Sequence, residues 1–323
     1  MQEQAALTSP AAPSQQRAVE ADVPRQTTPQ LPARIGALLR AHGHWLLVIV
    51  PILVLGWGPF AWCQHIWRTP HIPVAYQPFV PLLTLVLLWA RRGELTLVYQ
   101  ELALLFPADS PKRRGRLWLA AVGCLLTLFT YATQVPGLSI LALIVVVIGI
   151  VYYVYGREIL RYAASPLLFL FTMVPPPVTV IAGLRDTMAL AVAARAADLL
   201  HSLGVPSAAA RDQYVLAPGY RLEVGGALSG LGILGPTLAL TLWLLIFKRS
   251  RPWTGLVLLA LAGGVALLVN LLRVALVARL GMTNAGLADS LNDASSWFLV
   301  APAFALVWGM SRLMGIGKKI RRA

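Results

Sequence analysis

The chain has 323 residues, of which 58% are hydrophobic and 12% are charged, and its formal net charge is +14. Soluble domains carry about 25% charged residues, so this composition excludes an ordinary soluble domain and indicates a polytopic membrane protein. The basic residues cluster between apolar segments, which is typical of topology signals and not of nucleic-acid binding. The two cysteines, Cys63 and Cys124, form no metal-ligand spacing and no disulfide framework. We therefore expect no metal and no cofactor.

The first third of the chain contains a polar tail, two apolar segments and an amphipathic segment. Residues 1–40 lack apolar periodicity, which predicts a disordered, basic tail ahead of one membrane domain at 41–323. The tail has no short apolar core with a cleavage site, so it is not a signal peptide. Trp45 to Cys63 and Ile72 to Ala90 approach the ~20 residues that a bilayer core requires. Glu94 to Phe106 is typical of an interfacial amphipathic helix.

The remaining apolar segments bring the total to about eight spans, which predicts an all-α transmembrane bundle. One of them contains Pro175, Pro176 and Pro177, which must break or kink a helix, and a helix over Val178 to Leu203 continues from the break. Gly204 to Val224 is predicted to be an exposed loop. The six segments are Leu117 to Val135, Leu138 to Tyr155, Leu167 to Leu184, Ser229 to Phe247, Gly255 to Val277 and Trp297 to Leu313.

The basic residues predict how the chain crosses the membrane. If both termini are cytoplasmic, most of the 27 Lys and Arg residues lie on the cytoplasmic side, as the positive-inside rule requires. The exceptions are Arg68, Arg185, Arg195, Arg211, Arg221, Arg273 and Arg279. We therefore expect an inner-membrane protein in which Leu228, Ser229, Arg273 and Asn292 lie near the extracytoplasmic face.

Arg273 is the residue that most needs an explanation. An arginine inside an apolar segment costs about 2.5 to 3.5 kcal/mol on insertion scales, so such residues usually face protein and mark a site. Asn270 lies one helical turn earlier on the same face. Before this segment the sequence reads LEVGGALSGL, and after it a polar loop ends in LNDASSW, Leu291 to Trp297.

The order of these motifs resembles the exosortase/archaeosortase family. The matching pattern is LEVxxAxSGL, then NxxR late in the next span, then a polar loop with Asp-x-Ser-x-Trp before a last span, and it covers roughly Leu167 to Leu313. The resemblance implies a polytopic membrane peptidase or transpeptidase that processes C-terminal sorting signals of the PEP-CTERM type on secreted proteins. The sorting-signal segment and the membrane lipid are then the expected partners.

The chain keeps only part of the family's catalytic set. The resemblance implies a catalytic Cys before Ser-Gly-Leu, a catalytic Arg in NxxR and a catalytic His before Asp-x-Ser. Here the Cys position is Leu228, the His position is Asn292, and Gly226 stands where a Glu often precedes the Cys. A cysteine nucleophile needs a thiolate and an activating partner, and Leu228 supplies neither. The matching positions are Ser229, Gly230, Leu231, Asn270, Arg273, Asp293, Ser295 and Trp297.

Each candidate residue also has a structural interpretation. Arg273 is either an oxyanion or carboxylate clamp or a cation that reaches the outer interface. Asn270 is either part of the site or an interhelical hydrogen-bond partner. Ser229 is either a replacement nucleophile or a small residue that permits close packing. Asp293 either orients Arg273, acts as a weak base, or caps the last helix.

Three functions remain open from the sequence. The first is an exosortase-like protein that has lost catalysis and keeps substrate recognition. The second is an active peptidase or transpeptidase with a substitute nucleophile, Ser229, or Cys63 together with His65 or His71. The third is a transporter or envelope-assembly component, because a broken helix with an intramembrane Arg also suits transport. The substrate and the oligomeric state are not predicted.

Overall fold

The computed structural model describes residues 76–105, 118–133, 136–210, 213–293 and 297–317, together with Trp57, Ala61 and Gln64. Several sequence predictions lie outside the described residues. They are the tail at 1–40, nearly all of the first span, the basic runs at 112–116 and 318–322, and the residues Cys63, His65 and His71.

The first four described helices follow the predicted apolar segments. Helices α1 (Phe79–Ala90) and α2 (Arg92–Leu105) correspond to the second span and the amphipathic segment. Helices α3 (Trp118–Thr133) and α4 (Pro136–Phe169) form the predicted hairpin, and α4 is interrupted at Gly156, next to the predicted span end. The hairpin is tightly packed, since a Cβ atom on Gly149 would collide with the backbone nitrogen of Ala120. Small residues permit such close helix contacts in membranes.

The three consecutive prolines end one helix and begin the next, as predicted. After α4 the chain makes a 3-10 turn over Leu170–Met173, and Val174 is extended. Helix α5 (Val178–Ser202) starts directly after Pro177. Prolines lack a backbone donor and restrict the preceding residue to extended conformations, so neither helix can run through this segment.

The predicted exposed loop at Gly204 to Val224 is wrong in part, because it contains a small antiparallel sheet. Its strands are β1 (Ala208–Ala210), β2 (Tyr214–Ala217) and β3 (Tyr220–Glu223), in the order β1-β2-β3. Val215 pairs with Leu222, and both side chains are buried. The apolar face of this sheet packs on the helices, which is why the segment is not a free loop.

The second half of the chain supplies the helices that carry the site. A 3-10 turn (Gly226–Ser229) leads into α6 (Leu231–Lys248), which is followed by α7 (Pro252–Gly281). The predicted polar loop after α7 contains a further helix, α8 (Ala285–Asp293), and α9 (Trp297–Leu313) matches the last predicted span.

Helix α7 lies between two hydrophobic cores. On one side Val274 and Ala278 pack with Leu200 of α5, Leu222 of β3 and Ala288 of α8. On the other side α7 packs with α6 and α9, through residues that include Ala262, Ala266, Ile233, Ala303 and Val307. The sheet, α5, α8 and the transmembrane bundle are therefore joined through one helix.

The architecture is the expected all-α membrane type. Within the described ranges, three helical stretches are long and apolar enough to cross a membrane, namely Gly137–Met173, Leu231–Lys248 and Pro252–Gly281. Shorter apolar helices lie at Phe79–Ala90, Trp118–Thr130 and Phe298–Leu313. The eight predicted spans remain a sequence-based count.

The first prediction concerns topology. We expect an alkaline phosphatase reporter fused after Ala210 to be active, because the charge pattern places the strand segment outside the cytoplasm. A green fluorescent protein fused at the same residue should stay dark. The opposite pair of results would show that the chain has the reverse orientation. Fusions after Arg251, on the expected cytoplasmic side, serve as the control.

Candidate functional site

The site begins at the turn before α6, where the chain carries Leu228, Ser229 and Gly230. Gly230 has φ +96°, in the left-handed region that favours glycine. A Cβ atom there would lie 2.9 Å from the side-chain nitrogen of Asn270. Glycine is therefore required twice, by its backbone conformation and by the close approach of α7.

Asn270 joins α7 to this turn through a main-chain contact. It is fully buried, and its Nδ2 donates a hydrogen bond of 2.9 Å to the carbonyl oxygen of Leu228. The contact fixes the backbone at the position where the resemblance implies a catalytic Cys. It does not depend on which side chain residue 228 carries.

Arg273 makes the equivalent contact on the other side of the site. Its side chain points into protein, since only 7% of the residue is exposed. One guanidinium nitrogen donates a hydrogen bond of 3.0 Å to the carbonyl oxygen of Asn292 in α8. Arg273 lies about 32 Å along α7 from Pro252, which is close to the thickness of a bilayer core. At that depth an arginine could reach the interface, and its burial shows that it faces protein instead.

Two buried amide oxygens in this cluster have no hydrogen-bond partner among the described residues. They are Oδ1 of Asn270 and Oδ1 of Asn292. An unsatisfied buried acceptor costs about 1 to 3 kcal/mol, so such groups are usually paired with a ligand or with water. The residues that Asn270 and Arg273 connect therefore include two acceptors that could pair with a donor.

The side chains at the other predicted positions are placed for packing. Leu228 is 1% exposed and shares a hydrophobic cluster with Val274 and Ala288. The hydroxyl of Ser229 donates a hydrogen bond of 2.9 Å to the carbonyl oxygen of Gly226, and Ser229 is also 1% exposed. Both side chains are therefore buried in the described structure.

The structure describes only part of the motif that follows. Asp293 is the last residue of α8, and its side chain lies outside the described part, as do Ser295 and the side chain of Trp297. The proposed roles of Asp293 therefore stay predictions. No group of three His, Cys, Asp or Glu side chains in the described ranges is arranged to hold a metal.

Sequence reasoning missed a second link between the sheet and α8. The hydroxyl of Tyr220 donates a hydrogen bond of 3.1 Å to Asp289, and the Tyr220 ring packs on Gly281. Partial burial and the hydrogen bond to Asp289 raise the pKa of Tyr220. The signal was weak, because a tyrosine and an aspartate 69 residues apart carry no recognisable spacing.

These features define an integral membrane protein with a buried polar cluster at the end of a long apolar helix. The family described as transmembrane exosortase matches residues 67–309. The chain belongs to this family, as its motifs indicated. A comparison with curated proteins and one with solved structures found no match.

The second prediction tests the contact between Gly230 and Asn270. Gly230→Ala should lower the thermal unfolding midpoint in detergent, because a left-handed alanine costs about 1 to 2 kcal/mol and its methyl group displaces Asn270. Gly264→Ala on α7 is the matched control, since nothing lies within 4 Å of a Cβ atom there. Equal midpoints for both variants would contradict the assigned contact.

Proposed function

We propose that this protein binds the C-terminal sorting-signal segment of secreted proteins without cleaving it. The observation that carries the proposal is the contrast within one cluster. Arg273 and the two amide oxygens form a buried polar group, whereas the family's Cys position is an apolar residue packed in the core. The cluster is suited to recognition and has no group suited to nucleophilic attack.

The polar groups match the chemistry of a polypeptide backbone. A guanidinium donates to carbonyl or carboxylate oxygens, and an amide oxygen accepts a hydrogen bond from a peptide N–H group. Arg273, Asn270 and Asn292 together supply both kinds of contact. A bound segment would satisfy the two unpaired acceptors, which favours binding by removing their desolvation cost.

The chemistry argues against efficient cleavage. General acid-base catalysis contributes typically about 10² to 10⁴-fold, and Asn292 cannot accept a proton at neutral pH. Ser229 has its hydroxyl committed to Gly226 and has no described base beside it. Binding by Arg273 alone does not replace a nucleophile and its base.

The third prediction concerns binding. A fluorescent peptide that carries a sorting signal, an apolar span and a basic tail should bind the protein in nanodiscs, and Arg273→Ala should weaken binding about tenfold or more. Loss of one charge-assisted hydrogen bond accounts for this effect. Arg279→Ala is the control, because Arg279 lies six residues further along the same helix and is exposed. Equal weakening by both changes would contradict a specific role for Arg273.

The fourth prediction concerns cleavage. The wild-type protein should cleave the same peptide no faster than the Arg273→Ala variant. Cleavage that Ser229→Ala or Cys63→Ala abolishes would instead show an active enzyme with a substitute nucleophile.

The double change Leu228→Cys with Asn292→His provides the positive test. We expect it to restore cleavage, because the backbone at both positions is already held by Asn270 and Arg273. Leu228→Cys removes buried apolar volume, so the folded fraction of each variant is measured first and rates are compared at equal folded amounts. A folded double variant that binds the peptide and still does not cleave it would show that the remaining groups are not arranged for the family's reaction.

A further inference from the structure

A groove lies between α5 and the edge of the small sheet, apart from the Arg273 cluster. Its volume is about 440 Å³. One wall is a stripe of α5 residues that includes Ala197, Asp198 and His201, and the other wall is formed by Ser207, Ala208 and Ala209. The Ser207 hydroxyl donates hydrogen bonds of 2.9 Å and 3.2 Å to the carbonyl oxygens of Ala197 and Val205, which fixes the turn that closes the groove.

Among the described residues, β1 is an edge strand of the sheet. In the order β1-β2-β3, strand β1 pairs with β2 on one side only. The opposite edge strand, β3, lies against α7, where the Tyr220 ring packs on Gly281. An edge strand presents N–H and C=O groups that a second extended backbone can pair with, and peptide ligands often bind in this way.

The side chains of β1 leave room for such a partner. Ala208 and Ala209 are exposed, and the facing Ala197 is also small. Long edge strands are hazardous for a protein, but this one is three residues long and lies inside a groove, so it can accept a short segment without inviting uncontrolled pairing. Polar groups on both walls make the groove a poor site for an acyl chain.

The elements that form the groove also contribute residues to the hydrophobic core beside Leu228. Helix α5 contributes residues to the groove wall, and Val192 and Ala196 of the same helix pack in the cluster that contains Leu228 and Val274. Strand β2 reaches the same cluster through Val215.

We propose that the groove between α5 and β1 binds an extended peptide segment by strand addition, and that Asp198 favours a basic side chain in that segment. The proposal rests on the proposed function, since the peptide is the part of the sorting-signal protein that precedes its apolar span. The unpaired backbone edge supplies affinity, and the side chains of the groove supply selectivity. The Asp198 carboxylate has no ion-pair partner among the described residues.

Disulfide crosslinking tests this directly. Ala209→Cys is introduced into full-length protein whose native cysteines are replaced by serine, and it is reconstituted with peptides that carry one cysteine at successive positions before the apolar span. Because side chains of a paired strand alternate between two faces, crosslink yields should alternate with a period of two along the peptide. Leu216→Cys on β2 is the control, because its side chain is exposed on the same sheet away from the open edge.

The outcomes separate this proposal from the proposed function. Yields without alternation, or equal yields from Leu216→Cys, would overturn strand addition. Binding that still depends on Arg273 with no crosslink at Ala209→Cys would overturn the groove and leave the proposed function standing. Absence of any peptide binding would overturn both.

A second arm tests the charge preference. A peptide with Lys beside the best crosslinking position should bind about two- to fivefold more tightly than its Glu counterpart, the range expected for an exposed ion pair. Asp198→Asn should remove that difference, whereas Asp186→Asn, on the same helix outside the groove, should leave it unchanged. A preference that survives Asp198→Asn, or no preference at all, would overturn the role of Asp198.

Discussion

Two side chains on one face of α7 hold the site together through hydrogen bonds to main-chain carbonyl groups. Asn270 binds the carbonyl of Leu228, and Arg273 binds the carbonyl of Asn292. Because both acceptors belong to the main chain, the side chains of residues 228 and 292 can change without removing either hydrogen bond. These contacts are therefore compatible with Leu228 and Asn292 at the positions where the resemblance implies a catalytic Cys and a catalytic His.

The buried polar groups of this site affect its stability in opposite directions. A charge-assisted hydrogen bond contributes about 1.5 to 3 kcal/mol, which helps to offset the burial of Arg273. The amide oxygens of Asn270 and Asn292 work in the opposite direction, since each buried acceptor without a donor is unfavourable. A ligand that carries N–H groups would donate to these oxygens and remove the cost of burying them unpaired. A peptide N–H group is one donor that could pair with these oxygens, which is the physical basis of the proposed recognition.

Recognition and catalysis are separable in such a site. Binding requires the buried polar cluster and a surface that guides an extended chain, whereas catalysis also requires a nucleophile and a base. Helix α5 contributes residues to the core around Leu228 and to one wall of the groove beside β1. Gly230 lets α6 begin directly against Asn270.

The sequence by itself determined the membrane class, the hairpin of α3 and α4, the proline break and the family, and it predicted Arg273 as a site residue. These follow from composition, from apolar segment length and from motifs that are local in the chain. The tertiary structure decided the partners of Asn270 and Arg273, because a main-chain carbonyl exists at every residue and leaves no mark in a sequence. It also decided the sheet and α8. Strands of three or four residues, one of them all alanine, carry almost no local signal, and they form here because the helices bury one face.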